Sequence, residues 1–324
     1  MTRVEGKFVD VRQDGECGFI KSIVMENGDE VEGDFFIDCT GFRAALIEKV
    51  LGVGYDDWSH WLPMNRAVAV QTQSAGDILP YTRSIAHEAG WQWRIPLQHR
   101  VGNGHVYCSD YISDDEARAT LERNLDGEML FEPRVIKFLT GRRKKLWEKN
   151  CVALGLSSGF LEPLESTSIH LFQIAATRLI QYFPFNGCNP ALADHFNRLA
   201  SEEFESIRDF IIAHYHVTQR DDTAFWRDRQ AMDIPDTLKQ RLALYRDNGL
   251  VYKGEEDLFR IDSWIQVLLG QRFETSAYHP AGRLMTTDKL RSSLANYADG
   301  VRRTVAQMPS HADFIARYCA MAGE

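Results

Sequence analysis

The chain has 324 residues, 44% hydrophobic and 26% charged, with a formal net charge of −9 and six cysteines. That size suits two ordinary domains or one large one, and the acidic balance argues against nucleic acid as a partner. The cysteines (17, 39, 108, 151, 188 and 319) form no C-x-x-C pair and read as reduced thiols of a cytoplasmic protein, not a disulfide frame or zinc site; no apolar run reaches the length of a membrane span.

The first half reads as strand. Gly6 to Arg12 and Gly18 to Glu26 are short strands closed by Asp14-Gly15 and Asn27-Gly28, and Glu30 to Ile37 continues as a third. The run from Asp34 to Thr40 is an apolar strand that stops at Gly41, and Ala44 to Leu51 has a helical pattern. A buried strand ending at a glycine beside a helix start fits a doubly wound α/β sheet. Residues 52 to 65 read as a loop. Strands follow at Arg66 to Thr72, at Gly90 to Leu97 and at His105 to Asp110; in the second, Trp91, Trp93 and Ile95 share a face. Asp114 to Leu125 is a short helix. Arg134 to Phe138, Lys145 to Trp147 and Cys151 to Leu154 complete the β-rich part.

From Ser168 onward the hydrophobic period changes to that of a helix. One helix runs to about Tyr182, and a second starts at Asn189-Pro190. Leu238, Leu242 and Tyr245 mark a third, ended by Asn248-Gly249. Leu290, Leu294, Tyr297, Val301 and Val305 mark a fourth, and Phe314, Ile315 and Tyr318 a last short one. The run from Arg220 to Trp226 reads as the end of a helix. The expected organisation is a sheet-rich part over 1–165 and a helical part over 166–324.

The chemistry concentrates between Gly155 and His170. Glu162 and Glu165 flank Pro163 and Leu164, and Ser166-Thr167-Ser168 offers an N-cap. The first amides of a helix have no intrahelical partner and can receive an anion. A pocketed Glu165 could act as a general base or stabilise a developing cation, while Glu162 reads as a backbone-capping acid. Trp91 and Trp93 form either sheet packing or an aromatic wall for a planar ligand. His214 and His216 do not share a helix face, so joint metal binding is not expected. No G-x-G-x-x-G occurs, and Gly52-Val-Gly54 follows a helical pattern and lacks the third glycine.

The run from Phe160 to Thr167, with Trp91-x-Trp93-x-Ile95-Pro96 upstream, resembles the flavin-dependent tryptophan halogenases; Asp38 to Arg43 and His214 to Trp226 are similar to the same family. The resemblance covers nearly the whole chain. It implies an α/β fold: a partial FAD-binding, Rossmann-like sheet domain (1–165), then a helical substrate-binding module (166–324). It implies that reduced FAD from a separate flavin reductase reacts with oxygen to a hydroperoxide, that a halide (chloride or bromide) is oxidised to hypohalous acid, and that this halogenates an electron-rich arene. Glu165 matches the family's catalytic glutamate, Ser166 the serine linking flavin and substrate sites, and Thr167 and Ser168 the halide-binding pair. The flavin is expected against Gly41, Trp91, Trp93, Pro96, Gly155, Leu156 and Ser166, and the arene against Glu165, Phe259 and Trp264.

Three departures qualify this. The family's glycine-rich FAD fingerprint and catalytic lysine have no counterpart, so an N-terminally truncated form is expected. Ser168 stands where tryptophan-specific members carry glycine, and Ile169-His-Leu replaces their aromatic run. An indole compound other than free tryptophan is therefore the expected substrate, with homodimer formation left open and no metal, nucleic acid or membrane involved. The alternatives are a non-catalytic fragment or indole-binding module, and a flavin-dependent aromatic monooxygenase.

Overall fold

The computed structural model describes residues 2–320. Its strands are β1 (Phe8–Gln13), β2 (Ile20–Met25), β3 (Glu30–Glu32), β4 (Phe36–Asp38), β5 (Tyr55–Asp57), β6 (Arg66–Thr72), β7 (Arg83–His87), β8 (Gly90–Pro96), β9 (Val101–Tyr107), β10 (Arg134–Lys137), β11 (Gly141–Arg143), β12 (Trp147–Glu148), β13 (Cys151–Ala153) and β14 (Gly159–Phe160). Its helices are α1 (Asp114–Arg123), α2 (Ser168–Gln181), α3 (Pro190–His216), α4 (Ala224–Ala231), α5 (Asp236–Asn248), α6 (Ile261–Gly270), α7 (Thr287–Ala306) and α8 (His311–Tyr318). The chain is α/β, with every strand before residue 161 and every α-helix but α1 after it.

Contacts group the chain into two compact units, each built from three segments. The first holds Met1–Pro63, Phe138–Ile212 and Lys253–Arg260; the second holds Met64–Lys137, Ala213–Tyr252 and Ile261–Glu324. The change from strand to helix near 165 therefore separates element types but does not divide the units. α2 and most of α3 group with the strands of the first unit, because apolar faces bury against whatever sheet the chain returns to, not against sequence neighbours.

In the first unit β1, β2 and β3 form an antiparallel meander, β4 pairs in parallel with β13, and β11 pairs with both β14 and β5. Ile20, Ala44, Leu46, Ile47, Cys151 and Ala153 are its buried cluster. The single strand expected over Glu30 to Ile37 is two strands in two sheets. Buried Asn150 explains the break: its amide donates to the carbonyls of Ile20 (2.8 Å) and Asp34 (3.2 Å), and its oxygen accepts from Ile20 N (2.9 Å). The chain thus leaves β2 at Gly33 and re-pairs with β13.

The helix expected over Ala44 to Leu51 does not form either. Asp38 is fully buried, and its carboxylate accepts from the amides of Thr40 (2.9 Å), Leu46 (2.8 Å) and Ile47 (2.9 Å) and from the Thr40 hydroxyl (2.7 Å). Those amides go to a side chain instead of to helical carbonyls, and Ala44 is left-handed at φ 44°. The result is a 3-10 turn at Gly41–Arg43 followed by further turns.

The second unit carries a five-stranded antiparallel sheet in the order β10-β6-β9-β8-β7. α1 covers one face of it and buries Ala117 and Leu121 with Val68, Val70 and Tyr107. Ser113 and Glu116 cap α1 reciprocally. Gly249 ends α5 in the left-handed conformation at φ 63°, as Asn248-Gly249 implied. Arg220 to Trp226 does not end a helix: the Thr223 hydroxyl accepts from Trp226 N and starts α4. β5, β7, β11 and β14 form where the sequence pattern predicts no strand.

Candidate active site

The segment that concentrates the chemistry folds as three consecutive devices in the first unit. Gly155–Ser157 is a 3-10 turn after β13, Pro163–Glu165 is a second one after β14, and α2 begins at Ser168. Ser166 joins the second turn to the helix at φ 55°. A non-glycine residue in that region is strained, and such strain concentrates at functional sites.

Thr167 stands at the N-cap of α2, but its hydroxyl makes no capping bond, contrary to what Ser166-Thr167-Ser168 suggested. Its φ and ψ, −79° and −14°, are already helical, which turns the side chain away from the capping position. The hydroxyl is buried without a hydrogen-bond partner, and the residue is 2% exposed. A buried hydroxyl left unpaired costs free energy, so a native one calls for a water, an ion or a functional role to explain it. Beside it are the first-turn amides, which have no intrahelical acceptor. Donors of this kind suit an anion.

Glu162 is fully buried and Glu165 half-buried. Glu162 precedes the Pro163–Glu165 turn without capping it. The Gly155–Ser157 turn packs against the Gly41–Arg43 turn and against α2, so Gly41, Gly155 and Leu156 gather beside that helix. Gly41 and Gly155 sit at φ 70° and 74°, and a Cβ on either would meet no atom within 4 Å. They therefore border open space and present bare main chain to it. Ser157 fastens this arrangement, its hydroxyl donating to Leu154 O (2.7 Å) and to Asp38 O.

Phe259, also in the first unit, stacks on Phe210 with centroids 3.8 Å apart. Trp91, Trp93, Pro96 and Trp264 belong to the second unit. Trp91 is 3% exposed and its indole N–H is buried without an acceptor; Trp93 is half-buried, 6.1 Å from Trp91 between ring centroids. Trp264 is 1% exposed, with the Arg241 guanidinium 4.4 Å from its ring. In the same unit His105 is fully buried, with Nδ1 3.1 Å from the Ala117 carbonyl, and burial lowers its pKa to about 4. No group of three or more metal-ligating side chains occurs among the described residues.

Sequence reading missed two features of the first unit. Arg208 lies between the rings of Trp58 and Trp61, 4.9 Å from each. Arg178 and Glu203, both 5% exposed, pair in the interior. Neither leaves a local signal, because the partners are far apart in sequence.

The site thus combines glycine turns bordering open space with a helix start after an acidic, proline-fixed turn. The family profile described as tryptophan halogenase matches residues 1–287. The chain belongs to that family. It is 36% identical over 318 residues to the 7-chloro-L-tryptophan 6-halogenase KtzR of Kutzneria sp. (strain 744), covering 95% of this chain and 61% of that protein. Among solved structures it superposes on Xcc4156, a flavin-dependent halogenase from Xanthomonas campestris, with TM-score 0.97 and 49% identity, covering 99% of this chain and 65% of that one. BrvH, a flavin-dependent halogenase from Brevundimonas sp. BAL3, gives TM-score 0.94 and 44% identity over 97% of this chain and 64% of that one. The chain thus spans less than two thirds of the length of these relatives. No helix among the described residues is long and apolar enough to cross a membrane.

Proposed function

We propose that this protein serves flavin-dependent halogenation of an electron-rich arene, an indole compound in the first instance. The observation that carries the reading is the buried, partnerless Thr167 hydroxyl at the start of α2, in a chain of this family. It fits a halide, which needs donors and no acceptor. The glycine turns at Gly41 and Gly155, open on the side where a side chain would stand, fit the approach of a flat cofactor. Reduced FAD, when bound, would activate the molecular oxygen that oxidises the halide, and a separate reductase in the cytoplasm would return the flavin to its reduced form.

The chain's own residues take the remaining roles. Thr167 and the Ser168 amide hold the halide. Gly41, Gly155, Leu156 and Ser166, all in the first unit, receive the flavin. Replacing an aromatic hydrogen by halogen builds positive charge on the ring and releases a proton. The Glu165 carboxylate stabilises that charge and accepts the proton. Phe259, in the same unit as Glu165, serves arene binding, whereas the Trp264 ring is buried among other side chains of the second unit.

Crystals soaked in bromide test the halide site. An anomalous peak within hydrogen-bonding reach of the Thr167 hydroxyl and the Ser168 amide is expected, and Thr167→Val should abolish it. No peak in the wild type would overturn the assignment. A flavin spectrum on the purified protein separates the enzyme from a non-catalytic indole-binding module, which would be colourless.

A further inference from the structure

One face of α3 carries Glu203, Ser206 and Phe210 at helical spacing. Each meets a different neighbour within the first unit. Glu203 Oε2 accepts from both terminal nitrogens of Arg178 at 3.2 Å, and its Oε1 lies 3.2 Å from His170 Nε2. Arg178 also donates to Glu256 at 3.0 Å. Ser206 donates to Asp257 at 2.5 Å, and Phe210 stacks on Phe259. His170 lies in the first turn of α2, three residues beyond Thr167. Glu256, Asp257 and Phe259 all lie in the 253–260 segment. One helix face therefore holds both the turn with the candidate anion site and the segment with the candidate arene contact.

The charges explain why His170 matters to this arrangement. Arg178 alone serves two carboxylates, Glu203 and Glu256. Glu203 is 5% exposed, and burial pushes its carboxyl up against the pull of Arg178 and His170. A buried carboxylate without full compensation is costly. His170 Nε2, 3.2 Å from Glu203 Oε1, gives this buried carboxylate a second partner.

We propose that His170 is a positioning residue for halogenation: bonded to Glu203, which shares Arg178 with Glu256, it locks the first turn of α2 to the 253–260 segment. This rests on the function proposed above, in which that turn holds the halide and that segment meets the arene.

Hydrogen–deuterium exchange on the whole protein tests the lock without flavin or turnover. His170→Phe should speed exchange over 253–260 about tenfold, the scale of one hydrogen bond to a charged group. His170→Gln can still donate to Glu203 and should stay within about twofold of wild type. Unchanged exchange in His170→Phe overturns the proposal, and so does equal acceleration across the whole first unit, which marks general loss of stability. Should His170→Phe fail to fold, Glu256→Gln loosens the other end, and 168–171 should quicken together with 253–260; unchanged exchange over 168–171 overturns the proposal. With halogenating activity in hand, His170→Phe should raise KM for bromide about tenfold and leave kcat within about twofold; a fall in kcat alone overturns the positioning role. Sodium bromide added to the wild type should protect 168–171. Absence of that protection sinks the halide reading, whereas the exchange of 253–260 judges the lock separately.

Discussion

The indole of Trp93 occupies the space that a side chain would fill at Gly104, its register partner on the adjacent strand. Gly104 is not in the left-handed region, so this glycine is required for room and not for conformational freedom. The position of Trp93 is thus set by a residue eleven positions further along the chain.

Gly104→Ala should displace the Trp93 ring and destabilise the protein by about 1–3 kcal/mol, the usual cost of overpacking. Urea midpoints measure it. In the Trp93→Ala background the same change should cost far less, since the clash is gone. Additive effects would show that the two residues do not compete for one space.

His105 makes stability depend on pH. Its folded pKa is lowered to about 4 by burial, while an unfolded histidine titrates near about 6.5. Between those values the unfolded chain binds a proton that the folded chain refuses. The contribution is therefore complete above the unfolded pKa and is lost as pH falls through this window, by about 3 kcal/mol in all. His105→Asn does not titrate, so the difference in stability between the two proteins should change across the window. Parallel curves of denaturation midpoint against pH would refute this.

Asp38 gathers three amides and a hydroxyl into one buried carboxylate. Asp38→Asn replaces one acceptor oxygen by a donor that faces other donors. A loss of about 2–4 kcal/mol is expected, within the range for breaking a buried hydrogen-bond network. Because the Gly41–Arg43 turn depends on these bonds, flavin affinity should fall as well. Near-wild-type stability would mean that the turn is held by packing alone.

Glu165→Gln keeps the size of the side chain but removes the charge. Halogenated indole, measured by mass spectrometry, should fall by roughly 10²-fold or more, the scale of a general base. Flavin oxidation, followed by absorbance, should persist. Survival of halogenation within a factor of a few would make Glu165 structural. Glu162→Gln is the comparison, expected to act through folding because Glu162 is fully buried.

Element type followed local pattern closely where a single period ran long enough. β6 was read over Arg66 to Thr72 and forms there, and α2, α5 and α7 lie where apolar spacing placed them. The sequence by itself also determined the family, because motifs such as the run from Phe160 to Thr167 are contiguous. It also offered the candidate anion site, since a proline-fixed turn followed by a helix start is local.

What it could not determine is where local preference yields to a distant partner. Glu30 to Ile37 has the composition of one strand, yet Asn150 divides it. Ala44 to Leu51 has the spacing of a helix, yet Asp38 takes the amides that a helix would need. The unpaired state of the Thr167 hydroxyl, the room that Gly104 leaves for Trp93 and the sharing of Arg178 between Glu203 and Glu256 all depend on groups brought together by folding. Periodicity reports which face of an element is apolar. Only tertiary packing decides which buried polar group finds which partner.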